Sequence, residues 1–323
     1  MSVSAKATAF SGRLKRPDAE KLITAYEHDC MLQGLTKSTI STRGYDLRNF
    51  SRFLEGQGVH ILDVGKEETR GWIEELKINR GRTTQTTKNS LTSITGFYEY
   101  LVFEDLVSTN PIPSVRKRYM KSYKEGNESH SHKIISVEEM SQLIRSAVDI
   151  RDRAFMLLMA KTGVRRGELI GMDVTDVNFE NQSILLKPTP KRSNRLVYFD
   201  GEAETLLRRW LKVRQGRNKW NDPALFISQR NSRLKEAGID RIIIAHAQRL
   251  GLHDPRSDSL EDHFTSHCFR HWFVTHLIRA GMPRDFVKEL RGDARTEAID
   301  IYNHIDKKEL KESYLACIPQ LGF

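Results

Sequence analysis

Residues 267–282, HCFRHWFVTHLIRAGM, decide how this chain is interpreted. His267, Arg270 and His271 are spaced i, i+3 and i+4, which places them on one stripe of an α-helix. An adjoining stripe of apolar residues should face a core, and it consists of Phe269, Phe273 and Leu277. The sequence therefore predicts a helix that is anchored on one side and presents cationic side chains beside that anchor.

The same helix allows a metal site as an alternative. His267 and His271 have the spacing of zinc-protease histidines, which also need a glutamate directly after the first histidine. That position is Cys268, and no third ligand is apparent in the sequence. We therefore expect no metal here, and we interpret His271 as a packing or supporting residue.

Two other stretches add complementary chemistry. Residues 162–169, TGVRRGEL, contain Arg165, and residues 290–306, LRGDARTEAIDIYNHID, contain Tyr302. Two guanidiniums, from Arg165 and Arg270, can clamp the oxygens of a phosphodiester in a fork that lysine cannot reproduce. A tyrosine oxygen can attack the phosphorus and hold one DNA end covalently. Two arginines, a histidine and a tyrosine are the set needed for phosphoryl transfer through a protein nucleophile.

These three stretches resemble the boxes of the tyrosine recombinase family, also called phage-type integrases. Their order fits, and Tyr302 follows Arg270 by 32 residues. The resemblance extends from about residue 17 to the end of the chain. It implies Arg165 and Arg270 as phosphate clamps, His267 as a phosphate hydrogen-bonding or proton-transfer group, and Tyr302 as the nucleophile.

Two of these candidate residues, Arg165 and Tyr302, have a residue of the same type nearby in the sequence. The family pattern selects Arg165 over Arg166, and Glu168 is expected to orient or pair with Arg165. Tyr314 is the nearest alternative to Tyr302, but its spacing among apolar residues indicates packing of a C-terminal helix.

The resemblance implies one further site residue, because members of the family carry a lysine in the turn of a β-hairpin. That lysine acts as general acid on the 5′-oxygen leaving group. Residues 187–195, KPTPKRSNR, occupy the turn predicted here, and Lys191 is the residue implied, with Lys187 as the alternative.

Asp293 departs from the family pattern, because most members have histidine or tryptophan at this position. An ionised aspartate cannot donate a hydrogen bond to a phosphate oxygen. We expect Asp293 to orient Arg270 or His267, to accept the tyrosine proton, or to contact phosphate through water. The Arg-Gly-Asp sequence is similar to boxes of archaeal and archaeal-virus members, and it indicates such a source.

Composition agrees with a polyanionic partner. The chain of 323 residues has 52 Lys plus Arg against 42 Asp plus Glu, a net charge of +10. Such charge favours nucleic acid, because each neutralised phosphate releases counterions. Three cysteines without a CxxC pattern indicate a reducing compartment. No apolar run approaches the ~20 residues of a membrane span, and the N-terminus lacks a secretory core, so we expect a cytoplasmic protein with no membrane partner.

Four segments are predicted along the chain. Residues 1–16 form a flexible tail, and residues 17–110 have helical spacing of apolar residues without a convincing strand. Residues 111–133 form a basic linker, and residues 134–323 hold two short strands among helices, with a capping box at Ser136 and Glu139. The fold class is mainly α with a small β-sheet. The resemblance implies a helical SAM-like core-binding domain and a catalytic domain, which together form a clamp around DNA.

The resemblance implies a site-specific recombinase that integrates or excises a viral or plasmid element through a 3′-phosphotyrosyl intermediate. Because the covalent link retains the bond energy, no cofactor or metal is needed. The expected partners are double-stranded DNA, three further copies in a homotetramer, and an accessory directionality factor. A chromosome or plasmid dimer resolvase, a type IB topoisomerase-like enzyme and a non-catalytic DNA-binding regulator stay open. The C-terminal tail could dock on a neighbouring protomer or on its own domain.

Overall fold

A computed structural model places five parts of the chain, which are residues 17–120, 134–188, 195–257, 259–292 and 305–323. The chain divides into two compact units, Met1–Glu125 and Gly126–Phe323. The finer division into tail, helical domain, linker and catalytic domain stays a prediction.

The described part of the first unit is helical. Its helices are α1 (Ala19–Leu32), α2 (Lys37–Gly56), α3 (Lys66–Glu74), α4 (Thr84–Phe103) and α5 (Ile112–Tyr119), with a 3₁₀ turn at Ile61–Asp63 and a π turn at Glu75–Asn79. The hydroxyls of Thr36 and Thr83 accept backbone N–H groups at the starts of α2 and α4, as helix-capping threonines do. The core of this unit contains the fully buried aromatic residues Tyr26, Phe50, Trp72, Phe97 and Tyr98.

The described part of the second unit consists of helices and one small β-sheet. Its helices are α6 (Val137–Ser146), α7 (Ile150–Thr162), α8 (Arg166–Gly171), α9 (Gly201–Arg217), α10 (Glu236–Arg249), α11 (Ser266–Arg279), α12 (Arg284–Arg291) and α13 (Lys307–Cys317), with 3₁₀ turns at Val174–Asp176 and Leu260–Asp262. The antiparallel sheet has the order β1 (Val177–Asn178), β2 (Ser183–Leu186) and β3 (Arg195–Tyr198), with Ile184 opposite Val197. The predicted fold class, mainly α with a small sheet, is confirmed.

Helix α7 is the central element of the second unit. Nearly all of its residues are buried, because apolar side chains surround it and α9 and α11 pack against it. It ends at Gly163, which has the left-handed conformation (φ +60°) that favours glycine at this position. A Cβ on Gly163 would overlap the ring of Phe273 on α11, so the close approach of the two helices also requires glycine.

The C-terminal segment packs on its own unit. Tyr314 is buried and its hydroxyl donates to the carbonyl of Lys161, at 2.9 Å. The carboxylate of Glu202 accepts the backbone N–H groups of Leu321 and Phe323, at 2.8 and 2.9 Å. The ammonium of Lys161 donates to the Pro319 carbonyl at 2.6 Å. Of the two alternatives for the tail, the structure contains the contact with its own domain.

The capping box predicted at the start of α6 is present. Ser136 accepts the N–H of Glu139 at 3.1 Å, and the Glu139 carboxylate accepts the N–H of Ser136 at 2.7 Å. The sheet has one more strand than the two predicted, because β1 has only two residues and gives no alternating pattern. Among the described residues, no helix is long and apolar enough to cross a membrane.

Candidate active site

Arg165 occupies the turn between α7 and α8. Its backbone N–H donates to the Glu168 carboxylate at 2.8 Å, which fixes the first turn of α8. Its half-buried guanidinium lies 3.5 Å from the same carboxylate and donates to the carbonyl oxygen of Arg291, at 3.5 Å. Arg165 is therefore held by a local carboxylate and by the end of a distant helix.

Arg270 lies on α11 and is only 4% exposed. Its guanidinium donates to the carbonyl of Gly163 at 2.8 Å and to the carbonyl of Arg291 at 2.7 Å. Arg291 is the last residue of α12, where backbone carbonyls lack partners within the helix and the dipole favours cations. Arg165, in the turn before α8, and Arg270, on α11, thus reach the same oxygen.

The electrostatic setting of Arg270 is unfavourable for a lone cation. Burial, and after it the positive charge of Arg165, lower the pKa of Arg270 to about 9. The guanidinium is still charged at neutral pH. An anion placed between Arg165 and Arg270 would relieve the repulsion between them, so the pair is suited to bind a phosphate group.

Arg195, the first residue of β3, supports this arrangement and was missed by the sequence interpretation. Its guanidinium binds Glu168 through two nitrogens at 2.6 and 3.0 Å and donates to the carbonyl of Leu290 at 3.2 Å. Burial would raise the pKa of Glu168, but the hydrogen bonds and charge of Arg195 hold it below its usual range. Arg195 therefore connects the residue that holds Arg165 to the end of α12.

A cleft of about 440 Å³ brings three of the predicted residues together, since Arg165, His267 and Arg270 all line it. His267 is exposed, and its ring lies 4.6 Å from the ring of His271, nearly perpendicular to it. The cleft thus holds two guanidiniums and an imidazole, the groups that can bind phosphate oxygens and move a proton.

Arg166 also lines the cleft, but its guanidinium is engaged by α10. It pairs with the carboxylate of Glu236 at 2.7 Å and with that of Asp240. Arg165 instead turns toward Arg270 and the end of α12. The two adjacent arginines therefore have different surroundings, as the choice of Arg165 over Arg166 requires.

Three predicted site residues, Lys191, Asp293 and Tyr302, lie outside the described residues. Lys187, the alternative to Lys191, pairs with the carboxylates of Asp173 and Asp176. Among the described residues, no three His, Cys, Asp or Glu side chains are grouped so that they could hold a metal ion.

Comparison with known families now identifies the chain. Residues 133–309 match the phage integrase family, and residues 23–105 match the phage integrase N-terminal SAM-like domain. The chain belongs to the phage integrase family. The predicted family and SAM-like domain are confirmed, and with them the class of enzyme, a recombinase that breaks and rejoins DNA. The archaeal or archaeal-virus source stays a prediction.

Relatives and solved structures agree with this assignment. The chain is 28% identical over 278 residues to tyrosine recombinase XerC of Vibrio vulnificus strain YJ016, covering 83% of each chain. It is 30% identical over 284 residues to tyrosine recombinase XerC of Herpetosiphon aurantiacus, covering 84% of this chain and 86% of the relative.

Two solved structures share the fold of this recombinase. A lambda integrase dimer bound to a COC′ core site is 16% identical, with a TM-score of 0.67 over 89% of this chain and 79% of that one. The Tn1549 transposon integrase in complex with circular intermediate DNA is 18% identical, with a TM-score of 0.66 over 91% of this chain and 98% of that one.

Proposed function

We propose that this recombinase cuts double-stranded DNA at a specific site with Tyr302 and rejoins it through a 3′-phosphotyrosyl intermediate. The observation that carries the proposal is the convergence of Arg165 and Arg270 on one oxygen beside the cleft that holds His267. Guanidiniums fixed in this way can stabilise the charge that develops on a phosphodiester as it is attacked, without rearranging during the reaction.

The reaction proceeds in two balanced steps. The Tyr302 oxygen gives its proton to solvent or to Asp293 and bonds to the phosphorus, while the bond from phosphorus to the 5′-oxygen breaks. Lys191 gives a proton to that 5′-oxygen, which leaves as a hydroxyl. In the second step a 5′-hydroxyl of the partner strand returns a proton to Lys191 and bonds to the phosphorus, while the bond from phosphorus to the Tyr302 oxygen breaks and that oxygen takes up a proton again. Since tyrosine has an ordinary pKa near 10, the cationic cleft favours its ionisation.

The remaining groups assist this exchange. His267 hydrogen-bonds a phosphate oxygen or assists proton transfer, as its exposed position in the cleft allows. Asp293 orients Arg270 or His267, accepts the tyrosine proton, or contacts phosphate through water. Glu168 and Arg195 act through Arg165, because they hold its backbone and the adjacent end of α12.

The biological role that we propose is integration and excision of a viral or plasmid element. The variant tyrosine box and the unusual hairpin turn favour a mobile-element enzyme. The partners are duplex attachment sites, other copies of the chain in a homotetramer, and an accessory directionality factor, and the reaction takes place in the cytoplasm. Resolution of chromosome or plasmid dimers is the second candidate, and it uses the same site and chemistry on different DNA.

Covalent capture tests the proposal. The protein is incubated, without metal or ATP, with nicked duplexes of randomised sequence, and DNA that survives denaturing washes is enriched over several rounds. We expect an adduct with the wild type and none with Tyr302→Phe. Tyr314→Phe is the matched control and should still form it, because Tyr314 is buried.

The sequence of the captured DNA would also define the recombination site. Tight binding of duplex without any adduct would contradict the proposal and favour a non-catalytic DNA-binding regulator. Relaxation of supercoiled DNA by a monomer, without strand exchange, would favour the topoisomerase-like alternative.

A further inference from the structure

Two adjoining clefts lie between α1 and α4 in the first unit. One has a volume of about 700 Å³ and is lined along α1 from Asp18 to Leu32. The other has a volume of about 340 Å³ and is lined by Phe103 at the end of α4. Asp29 and Tyr100 line both clefts, so the two are continuous. We call them together the α1/α4 groove.

The α1/α4 groove leaves two large apolar side chains in water. Leu32, the last residue of α1, is 75% exposed, and Phe103, the last residue of α4, is 80% exposed. The half-buried Tyr100 lines the groove with them. Large apolar side chains that are exposed together at one groove are typical of a surface that another protein covers.

The charge of the α1/α4 groove is opposite to that of the whole chain, whose net charge is +10. Five acidic residues line the groove against two cationic ones, which are Asp18, Glu20, Asp29, Glu99 and Glu104 against Lys21 and Arg43. Glu20 pairs with Arg48 at 2.7 Å, whereas the other four carboxylates form no ion pair within the described parts of the chain. Such a face repels the phosphates of DNA, so the occupant that it favours is a cationic protein surface.

Helix stability does not account for these acidic residues. Asp29 lies in the last turn of α1, and Glu104 directly follows α4 as its C-cap residue. The helix dipole disfavours an anion at both places, and neither last turn contains a basic residue. Burial raises the pKa of Tyr100, and the nearby charges of Glu104 and Asp29 raise it further. Both carboxylates therefore act on the same part of the groove.

We propose that the α1/α4 groove is the docking site of a partner protein that binds through a cationic amphipathic segment. Lysine or arginine side chains of that segment neutralise the unpaired carboxylates, and its apolar side chains cover Leu32 and Phe103. Helix α1 has 14 residues, about 21 Å at 1.5 Å per residue, so a partner helix of about four turns matches the length of the groove. Docking here is separate from the proposed reaction, because the groove and the active-site cleft share none of their lining residues.

Selection of peptides on the full-length protein tests this docking site. Displayed random peptides of about 15 residues, the length of a four-turn helix, are bound to the immobilised wild type in the presence of excess soluble Leu32→Gln/Phe103→Gln. This apolar variant should fold as the wild type does, because both side chains are exposed. It removes peptides that bind elsewhere. We expect the enriched peptides to carry a net positive charge together with aromatic or aliphatic residues.

Exposed apolar residues elsewhere provide the control for the apolar variant. Ile78 and Trp220 are 73% and 76% exposed and lie outside the groove. Fluorescence anisotropy measures the affinity of a synthetic peptide taken from the selection. Ile78→Gln/Trp220→Gln should bind this peptide as the wild type does, whereas the apolar variant should bind it about tenfold or more weakly. Thermal unfolding checks the fold of every variant.

A second pair of variants tests the charge of the groove. Asp29→Asn/Glu99→Gln/Glu104→Gln should bind the same peptide about tenfold or more weakly than the wild type at about 0.1 M salt, with a weaker dependence on salt. The matched control removes three exposed carboxylates outside the groove, as Glu55→Gln/Glu74→Gln/Glu180→Gln, and should bind within about twofold of the wild type. Equal losses in the two charge variants would mean general attraction to an acidic protein and would overturn the proposal.

Other results would also overturn this docking site. Enriched peptides without net positive charge, or a selection that yields no groove-dependent peptide, would show that the groove does not recognise a cationic segment. Self-association of the wild type that the apolar variant abolishes, measured by analytical ultracentrifugation, would assign the groove to a second copy of the chain. Tighter binding of a synthetic peptide of residues 1–16 than of the selected peptides would assign it to the chain's own N-terminal segment.

Discussion

The active-site cleft and a cleft between α3 and α5, lined by Lys66, Arg70, Lys117 and Arg118, are both cationic, yet their charges are held in opposite ways. In the cleft, Arg270 is buried and bonded to two carbonyls, and Arg165 is fixed by Glu168 and the end of α12. In the cleft between α3 and α5, the four cations are exposed and form no ion pair with a carboxylate among the described residues. Fixed guanidiniums suit a reaction that needs charge at one place, whereas exposed cations suit contact with a charged backbone of any sequence.

The largest expected effect is at Arg270. We expect Arg270→Lys to slow adduct formation by about 10²- to 10³-fold, because lysine cannot donate in a fork to phosphate and to both carbonyls. Single-turnover capture on the enriched nicked duplex measures the rate. If the variant is folded and its rate is within tenfold of the wild-type rate, adduct formation does not depend on the fixed guanidinium of Arg270. Duplex affinity should change far less than the rate.

The next effect concerns stability and its dependence on pH. We expect Arg195→Gln to lower the free energy of unfolding of the full chain by about 3 kcal/mol at pH 7, because the buried carboxylate of Glu168 loses the guanidinium of Arg195. The pKa of Glu168 is held below its usual range, so the stabilisation is present above the unfolded pKa of about 4.3 and is lost as the pH falls through the folded pKa. Urea unfolding at pH 7 and near pH 4 should show a smaller difference at the lower pH.

An exposed ion pair provides the control for that measurement of stability. Arg208→Gln removes the partner of Glu204 at the surface, and we expect a loss below about 1 kcal/mol. A loss of similar size in Arg195→Gln, or one that does not diminish in acid, would mean that burial gives the Arg195 pair no special strength.

The smallest effect should be at Arg166, although it is the sequence neighbour of Arg165. Its guanidinium pairs with Glu236 and Asp240, so Arg166→Gln should change the adduct rate by no more than about threefold, a difference worth less than about 1 kcal/mol. Arg165→Gln serves as the comparison and should lose about 10²-fold or more. The same single-turnover capture compares them. Equal losses would mean that the two arginines share the phosphate.

The sequence predicted local features of the site better than its long-range contacts. The periodicity of α11 correctly placed Phe269, Phe273 and Leu277 in the interior. It placed Arg270 on a polar stripe with His267, whereas the structure buries Arg270 because the distant carbonyls of Gly163 and Arg291 satisfy its donors.

Arg195 illustrates the same limit. Its partners, Glu168 and the Leu290 carbonyl, lie 27 and 95 residues away in the chain. No local spacing indicates such a contact, and the strand pattern marked Arg195 only as the first residue of β3. Local rules find helices and caps, but they contain no information about which backbone carbonyl a distant arginine will meet.

The carbonyl oxygen of Arg291 has a consequence for the thermodynamics of DNA binding. Immobilising a long side chain on association costs about 0.5–1.5 kcal/mol. Arg165 and Arg270 are already ordered against this neutral oxygen in the folded protein. Their side-chain entropy is therefore lost when the chain folds and not when DNA binds. The oxygen itself carries no net charge, so it orders both guanidiniums without neutralising either of them.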